Sequence, residues 1–147
     1  MTSSTSRPVI EDPSWVLNPI TEISKEVRHA LILSSDGMVI GASEGLLRDT
    51  AEGISAMTAA LHGAARAAAN AALDAPDGSP VTTVTVQNAY GTYMIMPAGV
   101  RTNTFIAVSG GPDMPMGTVA HIMARQAKKL GEQLMSVPAR AQGGSAS

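Results

Sequence analysis

Hydrophobic positions along the chain recur first at helical and then at strand spacing. Val16, Ile20, Ile23 and Val27 are separated by 4, 3 and 4 residues, which aligns them on one face of a helix beginning near Asp12-Pro13. Pro19 falls inside this segment and should interrupt or bend it. Two apolar runs follow, His29 to Ser35 and Met38 to Ala42, separated by Asp36-Gly37, a strong short-range hairpin signal. From about Asp49 to Leu73 the pattern returns to helix. Twelve of the 25 residues from Ala51 to Ala75 are alanine, the strongest helix former. Asp49 and Glu52 resemble a capping box. The loop Asp74 to Pro80 ends the helix, and Val81–Gln87, Tyr90–Met96 and Asn103–Ser109 read as strands joined by tight turns. A last helix spans about Pro115 to Val137, with Val119, Met123, Gln126, Leu130 and Leu134 along one side.

The expected order is α-β-β-α-β-β-β-α. Short connections favour a five-stranded antiparallel sheet in an α+β fold, with the long helix on one face and the two terminal helices on the other. Residues 1–11 and 138–147 read as small, polar, aperiodic tails flanking one domain over 12–137.

The long helix departs from an ordinary amphipathic pattern. Ile54, Met57, Leu61, Ala65, Ala68 and Ala72 form the stripe expected to face the sheet. The opposite side carries Ala56, Ala60, Gly63, Ala67 and Asn70, where a surface helix would be charged. Between Gly53 and Leu73 only Arg66 is charged, counting histidine neutral. A helix apolar nearly all round is usually buried nearly all round. Small residues admit a second backbone, so this side is expected to meet another protein molecule.

Composition narrows the function classes. The absence of cysteine removes thiolate nucleophiles, disulfides and Cys-ligated zinc, and fits a cytoplasmic protein. A net charge of −2 and 3% aromatics argue against nucleic-acid binding. No apolar run reaches the roughly 20 residues of a membrane span. His29, His62 and His121 lack partners at metal-ligand spacing, and no G-x-S-x-G elbow is present. Ser34-Ser35-Asp36-Gly37 reads as turn chemistry. Gly110-Gly111 precedes a helix without a following lysine, so it is a strand-to-helix turn rather than a phosphate loop. Arg125, Lys128 and Lys129 read as a solvated basic face suited to the helix dipole. No catalytic residue, cofactor site or metal site is expected.

The segments Ser14-Trp-Val-Leu-Asn-Pro-Ile20 and Val27-Arg-His-Ala-Leu-Ile-Leu-Ser-Ser-Asp-Gly-Met-Val-Ile-Gly-Ala-Ser43, the alanine-rich helix, the strand Tyr90-Gly-Thr-Tyr-Met-Ile-Met-Pro97 and the final amphipathic helix together resemble the Roadblock/dynein light chain family. The likeness is to its bacterial, actinobacterial branch and covers about Ser14 to Val137. It implies a profilin-like sheet. It also implies a homodimer through the long helix and the next strand, placing Ala56, Ala60, Gly63, Ala67, Asn70, Val84 and Val86 at the interface. It further implies a Ras-like small GTPase as partner, with a histidine-kinase-like protein in the same system, and no catalytic motif. Arg48, Arg66 and Arg101 are available arginines, but activators of this branch reposition the GTPase's own residues. The competing expectation is a small-molecule-sensing domain of related fold, which needs a pocket with convergent polar groups.

Overall fold

The computed structural model describes residues 12–146, with side chains as far as Ser136. The expected tail over 1–11 lies outside the described residues. The elements are α1 (Ser14–Thr21), β1 (Val27–Ser34), β2 (Val39–Ala42), α2 (Arg48–Ala72), β3 (Val84–Asn88), β4 (Gly91–Pro97), β5 (Thr104–Gly110) and α3 (Met116–Ala146). The strands form one sheet in the order β2-β1-β5-β4-β3, and every neighbouring pair is antiparallel. The fold class expected from the pattern is the one observed.

Alternation along the central strands explains the layers. Ala30 and Ile32 of β1, Met94 and Met96 of β4, and Ile106 and Val108 of β5 point to one face, where Val16, Leu17 and Ile20 of α1 and Val119, Met123 and Leu130 of α3 cover them. Leu31, Leu33, Ile95, Phe105 and Ala107 point the other way, toward α2. Because β1 and β5 are covered on both faces, they read as continuous apolar runs rather than alternating ones. Fully burying a side chain such as Ile32, Ile106 or Leu130 stabilises the fold by about 1.5–3 kcal/mol relative to exposure.

The first helix differs from its expectation at both ends of the argument. It runs through Pro19 without interruption. Proline has no N–H for the carbonyl four residues back, here Trp15. Gln126 of α3, itself buried, supplies the missing donor: its Nε2 donates to the Trp15 carbonyl at 2.8 Å and to that of Val16 at 3.1 Å. The helix stops at Thr21, before the expected stripe is complete, because Ser24 takes over the backbone. Its Oγ accepts from Glu26 N–H and its carbonyl from Val27 N–H. Val27 is buried as the first residue of β1, while Ile23 stays exposed.

The capping box does not form: α2 starts at Arg48 with Leu47 as an uncapped N-cap. Glu52 pairs with Arg48 at 3.4 Å instead, and Asp49 remains in the first turn, where the helix dipole favours it. β3 begins at Val84 rather than Val81. α3 continues past Val137 to Ala146, over residues expected to be a tail and through Pro138, Gly143 and Gly144, which helix propensity alone does not favour. In the β1–β2 turn the Ser34 hydroxyl donates to the Asp36 carboxylate and accepts from Met38 N–H at 3.1 Å, the turn role expected of it. Gly91, at φ +145°, approaches β5 so closely that a Cβ there would stand 2.0 Å from the Gly110 carbonyl oxygen.

Candidate functional site

Two features of the α2 face define a surface: the way the helix is rolled on the sheet, and the strand left open beside it. The residues of α2 that are buried are Ala51, Ser55, Thr58 and His62, spaced 4, 3 and 4. They, not Ile54, Met57 and Leu61, form the line facing the sheet. This overturns the expected stripe by about one residue, or 100° of helix rotation. The reason lies in the sheet. The Tyr93 hydroxyl and Thr58 Oγ1 are 2.5 Å apart, and the His62 imidazole stacks on the Phe105 ring at a centroid distance of 4.2 Å. Long aromatic side chains from β4 and β5 leave room beneath the helix only for small or flat groups. Burial pushes the Tyr93 phenol up, partly offset by its hydrogen bond to Thr58. Burial also pulls the His62 imidazole down, helped by the Arg66 charge.

The large apolar side chains of α2 are thereby turned outward. Met57 is 67% exposed and Leu61 36%, while Ile54 is half-buried at their side. They form one wall of a 410 Å³ groove whose floor carries His29, Tyr93 and Ser109. Strand register makes this floor one row across the sheet. His29 of β1 stands opposite Ser109 of β5, Ser109 opposite Tyr93 of β4, and Tyr93 opposite Val86 of β3. The row therefore ends at the sheet's edge, because among the described residues β3 pairs only with β4. Val86 is exposed there. Val84, half-buried, packs against the α2-side core. The outer side of β3 presents unpaired backbone groups, the usual template for strand addition.

The small residues singled out in the sequence divide into two groups. Ala60, Gly63 and Ala67 are exposed, and nothing lies within 4 Å of where a Gly63 Cβ would be. Ala56, exposed as well, and the half-buried Asn70 also meet other parts of the chain. The β1–β2 turn leans on Ala56, whose Cα is 3.1 Å from where a Gly37 Cβ would stand, and Asn70 Nδ2 donates to the Ser79 carbonyl at 3.0 Å. The fold brings Val84 and Val86 together on β3, beside the Met57–Leu61 groove. The sequence pattern does not reveal that groove, because Ile54, Met57 and Leu61 have the spacing of a core-facing stripe.

The sequence profile of the Roadblock/LC7 domain matches residues 18–109. The chain belongs to the Roadblock/LC7 domain family. Among solved structures, it is similar to the Roadblock/LC7 domain from Streptomyces avermitilis, with 26% identity over 85% of this chain and 99% of that one and a TM-score of 0.74. The gliding protein MglB from Thermus thermophilus shares the fold at 17% identity, over 87% of this chain and 96% of that one, with a TM-score of 0.73. So does LokiProfilin2, solved in complex with rabbit actin, at 14% identity over 84% and 98%, with a TM-score of 0.51. No curated protein matches the chain significantly.

The matched residues 18–109 reach from within α1 to Ser109 of β5, so they contain the sheet but for Gly110 and the whole of α2 with its groove. Among the described residues no group of three or more His, Cys, Asp or Glu could hold a metal ion, and no helix is long and apolar enough to cross a membrane.

Proposed function

We propose that this Roadblock domain is a non-enzymatic regulator or scaffold that works as a homodimer and binds a Ras-like small GTPase in a signalling system. Family membership supports the regulatory reading. The observation that carries the dimer is the continuity of the exposed Met57–Leu61 groove with Val86 on the edge strand β3. A second copy satisfies all of it at once. β3 pairs with its symmetry mate, and the two α2 helices lie side by side with Ala60, Gly63 and Ala67 permitting close approach. A two-fold interface uses each residue twice, so one substitution acts at two places. Val84 and Val86 lie at the centre of this interface, with Ala56 and Asn70 at its margin.

The test is mass in solution by light scattering after size exclusion, with circular dichroism as a control. The wild type is expected to be a dimer at tens of micromolar, while Met57→Glu and Ala67→Glu are expected to be folded monomers. Each change would otherwise bury two unpaired carboxylates, at several kcal/mol apiece. A monomeric wild type, or dimers surviving both changes, overturns the interface. Binding of a Ras-like GTPase in its GTP- and GDP-bound forms tests the partner separately. Absence of binding to either form, by a dimer of normal mass, overturns the GTPase assignment alone.

A further inference from the structure

A second cleft, of 860 Å³, opens at the other end of the sheet. It exists because β3 is shorter than β4. Val84 opposite Ile95 is the last pair, so Met96 and Pro97 have no β3 neighbour. Residues 78–82 swing away from the sheet, and Ala124, Ala127 and Lys128 of α3 close the far side.

Its chemistry differs from that of the groove. Arg66 of α2, Arg101 of the β4–β5 turn and Lys128 of α3 all line it, and no acidic side chain does. The nearby acids in sequence, Asp77 and Glu132, stand outside the lining. This gathering of three cations occurs in a chain whose net charge is −2. Arg66 is fixed in the wall, its Nε donating to the Ser79 carbonyl at 3.2 Å and its Nη2 to that of Gly78 at 2.6 Å. Arg101 and Asn103 hold left-handed backbone, at φ +66° and +55°, a conformation that non-glycine residues adopt where the surroundings impose it. His62 is 7% exposed, also lines the cleft, and leaves its buried Nε2 without a hydrogen-bond partner. Beside these polar groups Pro97 and Val100 form an apolar shelf, with Val100 67% exposed, while the buried Phe105 and Ala127 line the cleft from the α2 and α3 sides respectively. A cleft of a few hundred cubic ångströms, mostly apolar with a few convergent polar groups, has the character of a small-molecule site.

We propose that this cleft binds an amphipathic organic anion, its carboxylate or phosphate head at Arg101 and Lys128 and its short apolar body on the shelf at Val100 and Pro97. The site lies at the opposite end of the sheet from the groove and does not depend on the dimer reading.

The experiment is a titration of the full-length ¹⁵N-labelled protein, followed by amide shifts, with four probes: octanoate, octyl phosphate, 1-octanol and inorganic phosphate. Octanoate or octyl phosphate should shift Gly78, Gly99, Arg101 and Asn103 saturably, and the tighter of the two identifies the head group. Octanol and inorganic phosphate, each carrying half of the chemistry, should bind at least tenfold more weakly. The double variant Arg101→Asn/Lys128→Gln, in which asparagine tolerates the left-handed backbone, should keep the wild-type melting temperature and lose at least tenfold in affinity for the better probe. The proposal is overturned if neither anion saturates at millimolar concentration, if octanol binds as well as the anions, if the shifts map to Met57 and Leu61, or if the double variant binds as tightly as the wild type.

Discussion

Gln126 should be worth far more to the fold than a polar residue on a helix usually is. Its amide serves a carbonyl, that of Trp15, which Pro19 deprives of its normal helical donor. Gln126→Leu keeps the volume roughly constant and removes the donor from the part-buried Trp15 carbonyl and from the buried bond to Val16. An orphaned buried carbonyl costs about 1–3 kcal/mol. The leucine recovers part of this through its extra apolar contact, so a net loss of about 1 kcal/mol is expected. For a domain this size that lowers Tm by roughly 2–4 °C. The decisive assay is a double-mutant cycle with Pro19→Ala, which restores an N–H at position 19 and lets α1 satisfy Trp15 itself. In that background Gln126→Leu should cost about 1 kcal/mol less, measured by urea unfolding of all four proteins. Equal costs in the two backgrounds, within ~0.3 kcal/mol, would refute the assignment of Gln126 as the substitute donor.

Other outcomes follow from single positions. His62 has a folded-state pKa below its ordinary 6.5, through burial and then through Arg66. The unfolded chain therefore binds the extra proton first. Its contribution is fully present above about pH 6.5, is lost as pH falls toward the lowered folded value, and levels off below that. His62→Gln should flatten this part of a plot of urea midpoint against pH, and an unchanged slope would exclude His62 as its source. Gly91→Ala forces a Cβ onto the Gly110 carbonyl at a backbone angle suited only to glycine. It should cost about 1–3 kcal/mol from the backbone alone, and a thermal shift of less than a degree would contradict the close approach of β4 and β5.

The sheet and its layers were legible because the relevant signals are local. The Asp36-Gly37 turn, the short apolar strand runs and the amphipathic α3 each declare themselves within about ten residues, and Val119, Met123, Gln126 and Leu130 are buried as their spacing requires. The roll of α2 was not legible. In a helix so rich in alanine, Ile54, Met57 and Leu61 dominate any hydrophobic pattern and point to the wrong face. What decides the roll is Tyr93 reaching Thr58 and Phe105 lying under His62, contacts across 35 and 43 residues of sequence that no periodicity encodes. Pro19 is a similar case: its compensation comes from a glutamine more than a hundred residues away. The open edge at β3 follows from strand order, which the connections alone leave undetermined.

An α2 that lays Ala51, Ser55, Thr58 and His62 against the sheet and turns Met57 and Leu61 outward is held to its own domain by comparatively little apolar surface. Segments of this kind open at lower free energy than the core around them. Slow amide exchange in α2 should therefore depend on how much protein is in the tube, whereas exchange in β1 and β5 should not. Diluting the protein would loosen one helix and leave the sheet beneath it closed, so the helix would register the presence of a neighbour through its own order.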